Sequence, residues 1–131
     1  VHLLGLSDHM QLSTAMTRWN NVVVELLNEV HRNYASFELK ALARRYHTSS
    51  SYLSRLVREN TGHSLTELLW RRRMEKAAQL LRDTDMPILA VSQSVGYENS
   101  SYFYRLFQQR YGTPPKEYRR VHRDGKGDGE V

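Results

Sequence analysis

The chain contains no cysteine, which removes disulfides, thiolate metal sites and thiol nucleophiles together and suits a reducing cytoplasm. No apolar run approaches the ~18 residues that a bilayer span requires. The opening residues carry neither a basic n-region nor a small-residue cleavage site, so neither a membrane segment nor a signal peptide is expected. Proline is scarce, at 3 residues. Pro87, Pro114 and Pro115 all fall at expected helix starts, where the missing N–H costs nothing. No segment alternates polar and apolar residues with period two, so no strands are expected and the fold class is all-α.

Catalytic patterns are missing as well. There is no Gly-x-Ser-x-Gly elbow, and the 6 histidines never take a metal-ligand spacing with carboxylates. The tail Asp124-Gly-Lys-Gly-Asp128-Gly129 faintly mimics a calcium loop, but Lys126 stands where an oxygen ligand is required. The chain is therefore expected to be no enzyme and to need no metal or cofactor.

What the chain does have is ordinary globular composition, 40% hydrophobic and 25% charged, with a net charge of +5. The charge is uneven. Residues 36–123 hold 16 Lys/Arg against 8 Asp/Glu, whereas residues 1–35 and 124–131 are each slightly acidic. A basic middle segment points to a polyanionic partner.

Residues 1–16 lack a clear period and read as a linker or frayed segment. Trp19, Val22, Val23, Leu26, Leu27, Val30 and Tyr34 form the stripe of an amphipathic helix over 17–34. A second helix is expected after Ser36 as N-cap, running to Tyr46 and burying Leu39, Leu42 and Ala43. Ser49 caps a third, with Leu53, Leu56 and Val57 inward, ending at Gly62. Ser64-Leu65-Thr66-Glu67 reads as a capping box that starts the longest helix, to Arg82. Its apolar positions are Leu65, Leu68, Leu69, Ala77, Leu80 and Leu81. Further helices follow from Pro87 to Gly96, from Asn99 to Tyr111–Gly112, and from Pro114–Pro115 through Tyr118 and Val121. Residues 124–131, rich in glycine and charge, read as a disordered tail.

An internal repeat organises the middle of the chain. Tyr52-Leu53-Ser54-Arg55-Leu56-Val57 is echoed by Tyr102-Phe103-Tyr104-Arg105-Leu106-Phe107 at an offset of 50, as Gly62 is by Gly112 and Glu67 by Glu117. Upstream the offset is 49, pairing Leu42 with Val91, Ala43 with Ser92 and Tyr46 with Val95. One added residue in the second turn explains the slip. Each copy is a short helix, a tight turn and a second helix, the layout of a helix-turn-helix. Ala43 and Ser92 supply the small residue at the helix crossing. Ser50 and Ser51, and Ser100 and Ser101, supply short polar groups at the second helix's N-terminus, where base edges are approached closely. One turn further in stand Arg55 and Arg105, the residue type that most often reads guanine bidentately. Ser54 and Tyr104 share that face. Arg44, Arg45, Ser49 and Arg58 in the first copy, and Asn99, Lys116 and Arg119 in the second, are candidate phosphate contacts. Tyr52 and Tyr102 read as packing residues, and Arg73 as structural. A connector of about 19 residues spans roughly 28 Å, near the ~34 Å between successive major-groove faces of B-DNA. Two recognition helices in adjacent grooves are therefore expected.

With these residues assembled, the chain resembles the DNA-binding domain of the AraC/XylS family of bacterial transcription regulators. The strongest match is Ile88, Val91, Val95-Gly96-Tyr97, Asn99, Ser101-Tyr102-Phe103, Arg105, Phe107, Gly112, Pro115 and Tyr118-Arg119. Arg73, Ala77 and Leu80-Leu81 match in the connector. Leu42-Ala43, Ser49, Tyr52-Leu53-Ser54-Arg55-Leu56 and Gly62 match in the first copy. The resemblance implies seven helices in a double helix-turn-helix domain over 17–123, double-stranded DNA as partner, and transcriptional control, most often activation. It also implies contact with RNA polymerase, a sensing or dimerising domain N-terminal to Val1, and a place on the bacterial nucleoid in the cytoplasm. The sequence departs from the family at Ser92, usually Ala, whose hydroxyl is expected to bond back to the i−4 carbonyl. It departs also at Ser51, where bulkier side chains often stand. Two other readings compete. A DNA-binding alkyl-transfer enzyme needs the cysteine that this stretch lacks. A helical protein-interaction module would not need duplicated helix N-termini with matching arginines.

Overall fold

The computed structural model describes residues 18–130, with side chains over 18–123; the segment 1–16 lies outside the described residues. Those residues form seven α-helices and a short 3-10 turn, with no strand. Helix α1 covers 18–32 and the 3-10 turn Tyr34–Ser36. Then follow α2 (Leu39–Arg45), α3 (Ser50–Thr61), α4 (Leu65–Asp83), α5 (Ile88–Ser94), α6 (Ser100–Tyr111) and α7 (Pro115–Glu130). They fall into two compact units, one of 18–32 with Glu38–Leu65, the other of Asn33–Phe37 with 66–130.

The first unit buries an aliphatic set. Val22, Val23, Leu26 and Val30 come from α1, Leu42 and Ala43 from α2, Leu53 and Val57 from α3, and Leu65 from the start of α4. Val22, Leu26 and Val30 of α1, and Leu53 and Val57 of α3, repeat at four-residue spacing, so each of these helices turns one stripe inward. Helix α2 begins later than the sequence suggests. Ser36 is taken up in the 3-10 turn, and the N-cap position falls to Glu38, whose side chain makes no cap bond.

The second unit is built on aromatic rings. Met74, Ala77, Ala78 and Leu81 of α4 form its buried stripe together with Val91, Val95, Tyr97, Phe103, Phe107 and Tyr118. Positions 74, 77, 78 and 81 fall at i, i+3, i+4 and i+7, so Leu80, one position off, is only partly buried. Phe107 lies at the centre of a ring cluster, 5.9 Å from Phe103, 4.7 Å from Tyr111 and 5.3 Å from Tyr118 between centroids. Such pairs add ~0.5–1.5 kcal/mol each beyond area burial. The polar ends are satisfied: Tyr111 Oη donates to the Met74 carbonyl at 3.3 Å, and Arg82 Nη1 donates to Tyr118 Oη at 2.7 Å.

Helix α7 runs past residue 123, through the glycine-rich stretch expected to be a tail. No proline follows Pro115 to stop it. Glycine weakens a helix by ~1 kcal/mol per residue but does not forbid one.

Candidate nucleic-acid interface

The two turns share one hydrogen-bond skeleton. In the first copy Tyr46, His47 and Thr48 donate their backbone N–H groups to the carbonyls of Leu42, Arg44 and Ala43; in the second, Val95, Gly96 and Tyr97 donate to Val91, Gln93 and Ser92. The register is 49 through Thr48 and Tyr97, and 50 from Ser49 and Asn99 onward, so the added residue is Glu98. The turn needs a left-handed residue after the first helix. Gly96 fills it at φ 106° in the second copy, His47 at φ 54° in the first. At Gly96 there is also no room: a Cβ would lie 2.8 Å from the Ala35 carbonyl oxygen and 3.1 Å from Arg73 Cζ.

The Ser92 hydroxyl is fully buried and donates to the Tyr97 carbonyl at 3.0 Å. The expected bond to the i−4 carbonyl is thus corrected: the hydroxyl reaches across the turn to the Tyr97 carbonyl instead. Tyr97 returns an N–H to the Ser92 carbonyl at 3.0 Å, so the turn is tied twice.

Both second helices are capped as the sequence predicts. Ser49 Oγ accepts from the Tyr52 N–H at 3.0 Å, and Asn99 Oδ1 accepts from the Tyr102 N–H at 3.1 Å. Capping occupies an acceptor on each, which leaves the serine hydroxyl proton and the asparagine amide hydrogens to donate. Gly62 and Gly112 close the two helices in the left-handed conformation.

On α3, Ser51, Arg55 and Arg58 are exposed and Ser50 and Ser54 half-buried, opposite buried Leu53 and Val57. On α6, Ser101, Tyr104 and Arg105 are exposed and Ser100 half-buried, opposite Phe103 and Phe107. The candidate base-contacting residues of each copy therefore share one helix face. Arg44 and Arg45 are exposed in the last turn of α2, and Lys116 is exposed in the first turn of α7.

Arg119 is engaged with the backbone of its own unit. Its Nε donates to the Leu81 carbonyl at 3.0 Å and its Nη2 to the Met86 carbonyl at 2.7 Å. Burial, and then neighbouring Arg123, hold its guanidinium below its ordinary pKa. Through these two bonds it clamps the end of α4. Its sequence neighbours Glu117, Arg120 and Lys116 gave no sign of this, because the acceptors are backbone carbonyls. Arg73 is structural too: its Nε donates to the Tyr34 carbonyl at 2.7 Å, and its Cζ lies 5.0 Å from the Tyr97 ring centroid.

The two candidate base-contacting arginines have different neighbours. Arg55 Nε lies 3.8 Å from Glu59 Oε1, both side chains well exposed. The matching position after Arg105 is Gln109, which carries no charge. Each arginine also sits by the tyrosine three residues before it. Arg55 Cζ is 5.3 Å from the Tyr52 ring centroid and Arg105 Cζ is 5.5 Å from that of Tyr102. Tyr102 is 44% exposed, more than a residue read as packing should be.

Two capped helices, each set by a turn with the same backbone hydrogen bonds and each offering serine and arginine on an outward face, define a double helix-turn-helix protein of the kind that reads duplex DNA. Comparison with known proteins agrees. A family described as "Helix-turn-helix domain" matches residues 42–121, and the chain belongs to the AraC-type transcription regulators. It is 33% identical over 118 residues to the HTH-type transcriptional regulator CdhR of Pseudomonas aeruginosa, covering 87% of this chain and 35% of that one. The C-terminal domain of AraT, a response regulator from Geobacillus stearothermophilus, is 33% identical with a TM-score of 0.71, over 76% of this chain and 84% of that domain. The DNA-binding domain of the global transcriptional factor AdpA, solved in complex with a target DNA, is 25% identical with a TM-score of 0.68, over 83% of this chain and 96% of that one. The chain thus spans about a third of CdhR's length. No helix among the described residues is long and apolar enough to cross a membrane.

Proposed function

We propose that this chain binds double-stranded DNA sequence-specifically with α3 in one major groove and α6 in the adjacent one, and so recruits a longer regulator to its promoters. The observation that carries the reading is the recurrence, at an offset of 50, of a capped helix with paired serines in its first turn and an arginine one turn further in. Serine is short enough to let the helix end approach the base edges. Arginine supplies a planar fork of donors matched to guanine O6 and N7. Arg44, Arg45, Ser49, Arg58, Asn99 and Lys116 then neutralise or hold phosphates, which fixes register without reading sequence. Arg119 belongs to that set as well, its guanidinium already oriented by the Leu81 and Met86 carbonyls.

The regulator acts chiefly as an activator, through contact with RNA polymerase, in the bacterial cytoplasm and on its nucleoid. A sensing or dimerising domain lies N-terminal to this stretch. The length of CdhR beyond the matched part supports the presence of a further domain. No catalytic step is part of the function.

Selection of random duplexes on the wild-type chain tests the reading. Enrichment of a site with two short motifs about one helical turn apart is expected. Affinity should fall steeply between low and physiological salt, by counterion release. Failure of any duplex to be enriched over the starting pool would contradict it.

A further inference from the structure

Each arginine of the recognition face is the outer member of a four-residue stack. In the first unit the stack runs Arg55, Tyr52, Trp19, Arg18. Arg55 lies 5.3 Å from the Tyr52 centroid, Tyr52 meets Trp19 of α1 edge to face at 5.0 Å and 69°, and Arg18 lies 5.3 Å from the Trp19 centroid. In the second unit it runs Arg105, Tyr102, Tyr97, Arg73. The corresponding values are 5.5 Å, then 5.8 Å at 70°, then 5.0 Å. The inner aromatic comes from unrelated places, helix α1 in one case and the turn residue before Glu98 in the other. The order of groups and the geometry are nevertheless the same. Core packing does not require this, since Tyr102 is 44% exposed and Arg55 lies on the outer face.

We infer that Tyr52 and Tyr102 are positioning residues that hold Arg55 and Arg105 in the conformation that reads a base; this rests on the base-reading role proposed above. An arginine on a helix surface samples many rotamers, whereas bidentate recognition needs the guanidinium plane fixed against the base edge. A tyrosine three residues earlier lies beneath the arginine stem on the same helix face. Its ring takes the flat face of the guanidinium and leaves the N–H edge free to bind. Trp19 and Tyr97 fix the tilt of that ring, and Arg18 and Arg73 close the stack from behind.

The test compares discrimination, meaning affinity for the selected duplex over that for a duplex changed only at the base assigned to the arginine. Tyr102→Ala should lower discrimination at the α6 motif by roughly two- to fivefold, the size of an exposed cation–π contact, and leave the α3 motif unchanged. Tyr102→Phe, which keeps the ring face, should retain it, and Tyr102→Leu, which keeps bulk without the ring, should not. In an Arg105→Ala background Tyr102→Ala should change nothing further. Tyr52 should behave likewise with Arg55. An equal loss of affinity on both duplexes, or an undiminished effect of Tyr102→Ala without Arg105, would overturn the positioning role. If Arg105→Ala itself discriminates like wild type, the base-reading assignment falls and the brace with it. If Arg105→Ala loses discrimination and both Tyr102→Ala and Tyr102→Leu keep it, the brace alone falls.

Discussion

His47 and Gly96 occupy the same place in two copies of one motif, and the copies solve it differently. The first holds a histidine at φ 54° where the second has a glycine at φ 106°. The first packs Leu53 and Val57 where the second packs Phe103 and Phe107. The first has Ala43 at the helix crossing, the second a buried Ser92 tied to Tyr97. On the outer face Ser54 and Glu59 stand against Tyr104 and Gln109. The backbone bonds of the turn, the cap and the helix stop are nonetheless the same in both. The motif is therefore a backbone construction, and its filling is free to drift as long as the capped helix and its outward arginine survive. The second copy carries more aromatic area and tighter turn bonding, so it should be the more stable half and the one more sensitive to insult.

Several substitutions put that contrast at risk. The largest effect is expected at Phe107, whose loss to Ala empties the centre of the ring cluster. It should lower unfolding free energy by about 3–5 kcal/mol, against about 2 kcal/mol for Val57→Ala in the first copy, both read from urea denaturation. Equal costs would remove the distinction between the two cores. Next comes Gly96→Ala, which drives a Cβ to 2.8 Å from the Ala35 carbonyl oxygen at a left-handed φ. It should cost about 3 kcal/mol, while His47→Gly, relieving a left-handed non-glycine residue, should gain about 0.5–1 kcal/mol. A tolerated Gly96→Ala would show that the turn can shift.

Ser92→Ala ranks third. It deletes one buried hydrogen bond and should lower the thermal midpoint by the equivalent of about 1 kcal/mol, with DNA specificity unchanged; a neutral result would mean that the Tyr97 N–H bond alone suffices. The smallest effect is expected from Glu59→Gln, which gives the first copy the neutral neighbour of the second. Removing an exposed carboxylate beside Arg55 should tighten binding to every duplex by roughly two- to threefold at low salt and less at high salt. Gln109→Glu should do the reverse, and salt-independent changes would exclude a charge effect.

Much of the fold was legible because its signals are local. Ser49, Asn99, Gly62, Gly112, Pro87 and Pro115 are stop and start residues that act within one turn of helix. The repeat was legible because the same local demands recur at a fixed offset. What escaped depends on partners distant in sequence. Met74 and Ala78 are small or adaptable residues whose burial is decided by what packs on them. Arg119 and Ser92 bond to backbone carbonyls that no side-chain pattern reveals. Ser36 lost the N-cap position because the 3-10 turn ahead of α2 claimed it, its Tyr34 carbonyl held by Arg73 from thirty-nine residues away. The outward placement of Ser51, Arg55, Ser101 and Arg105 was legible from the helix period, whereas the exposure of Tyr102 and its stack with Arg105 needed three-dimensional placement.

The central claim is that each copy reads its own half of one DNA site. The most direct test measures Arg55→Ala and Arg105→Ala against a panel in which each half of the selected site is altered separately. Each change should blunt discrimination in one half only, by about 1–3 kcal/mol, with Arg55→Ala affecting one motif and Arg105→Ala the other. Loss of affinity by the same factor on every duplex would contradict it, and would make both arginines phosphate contacts.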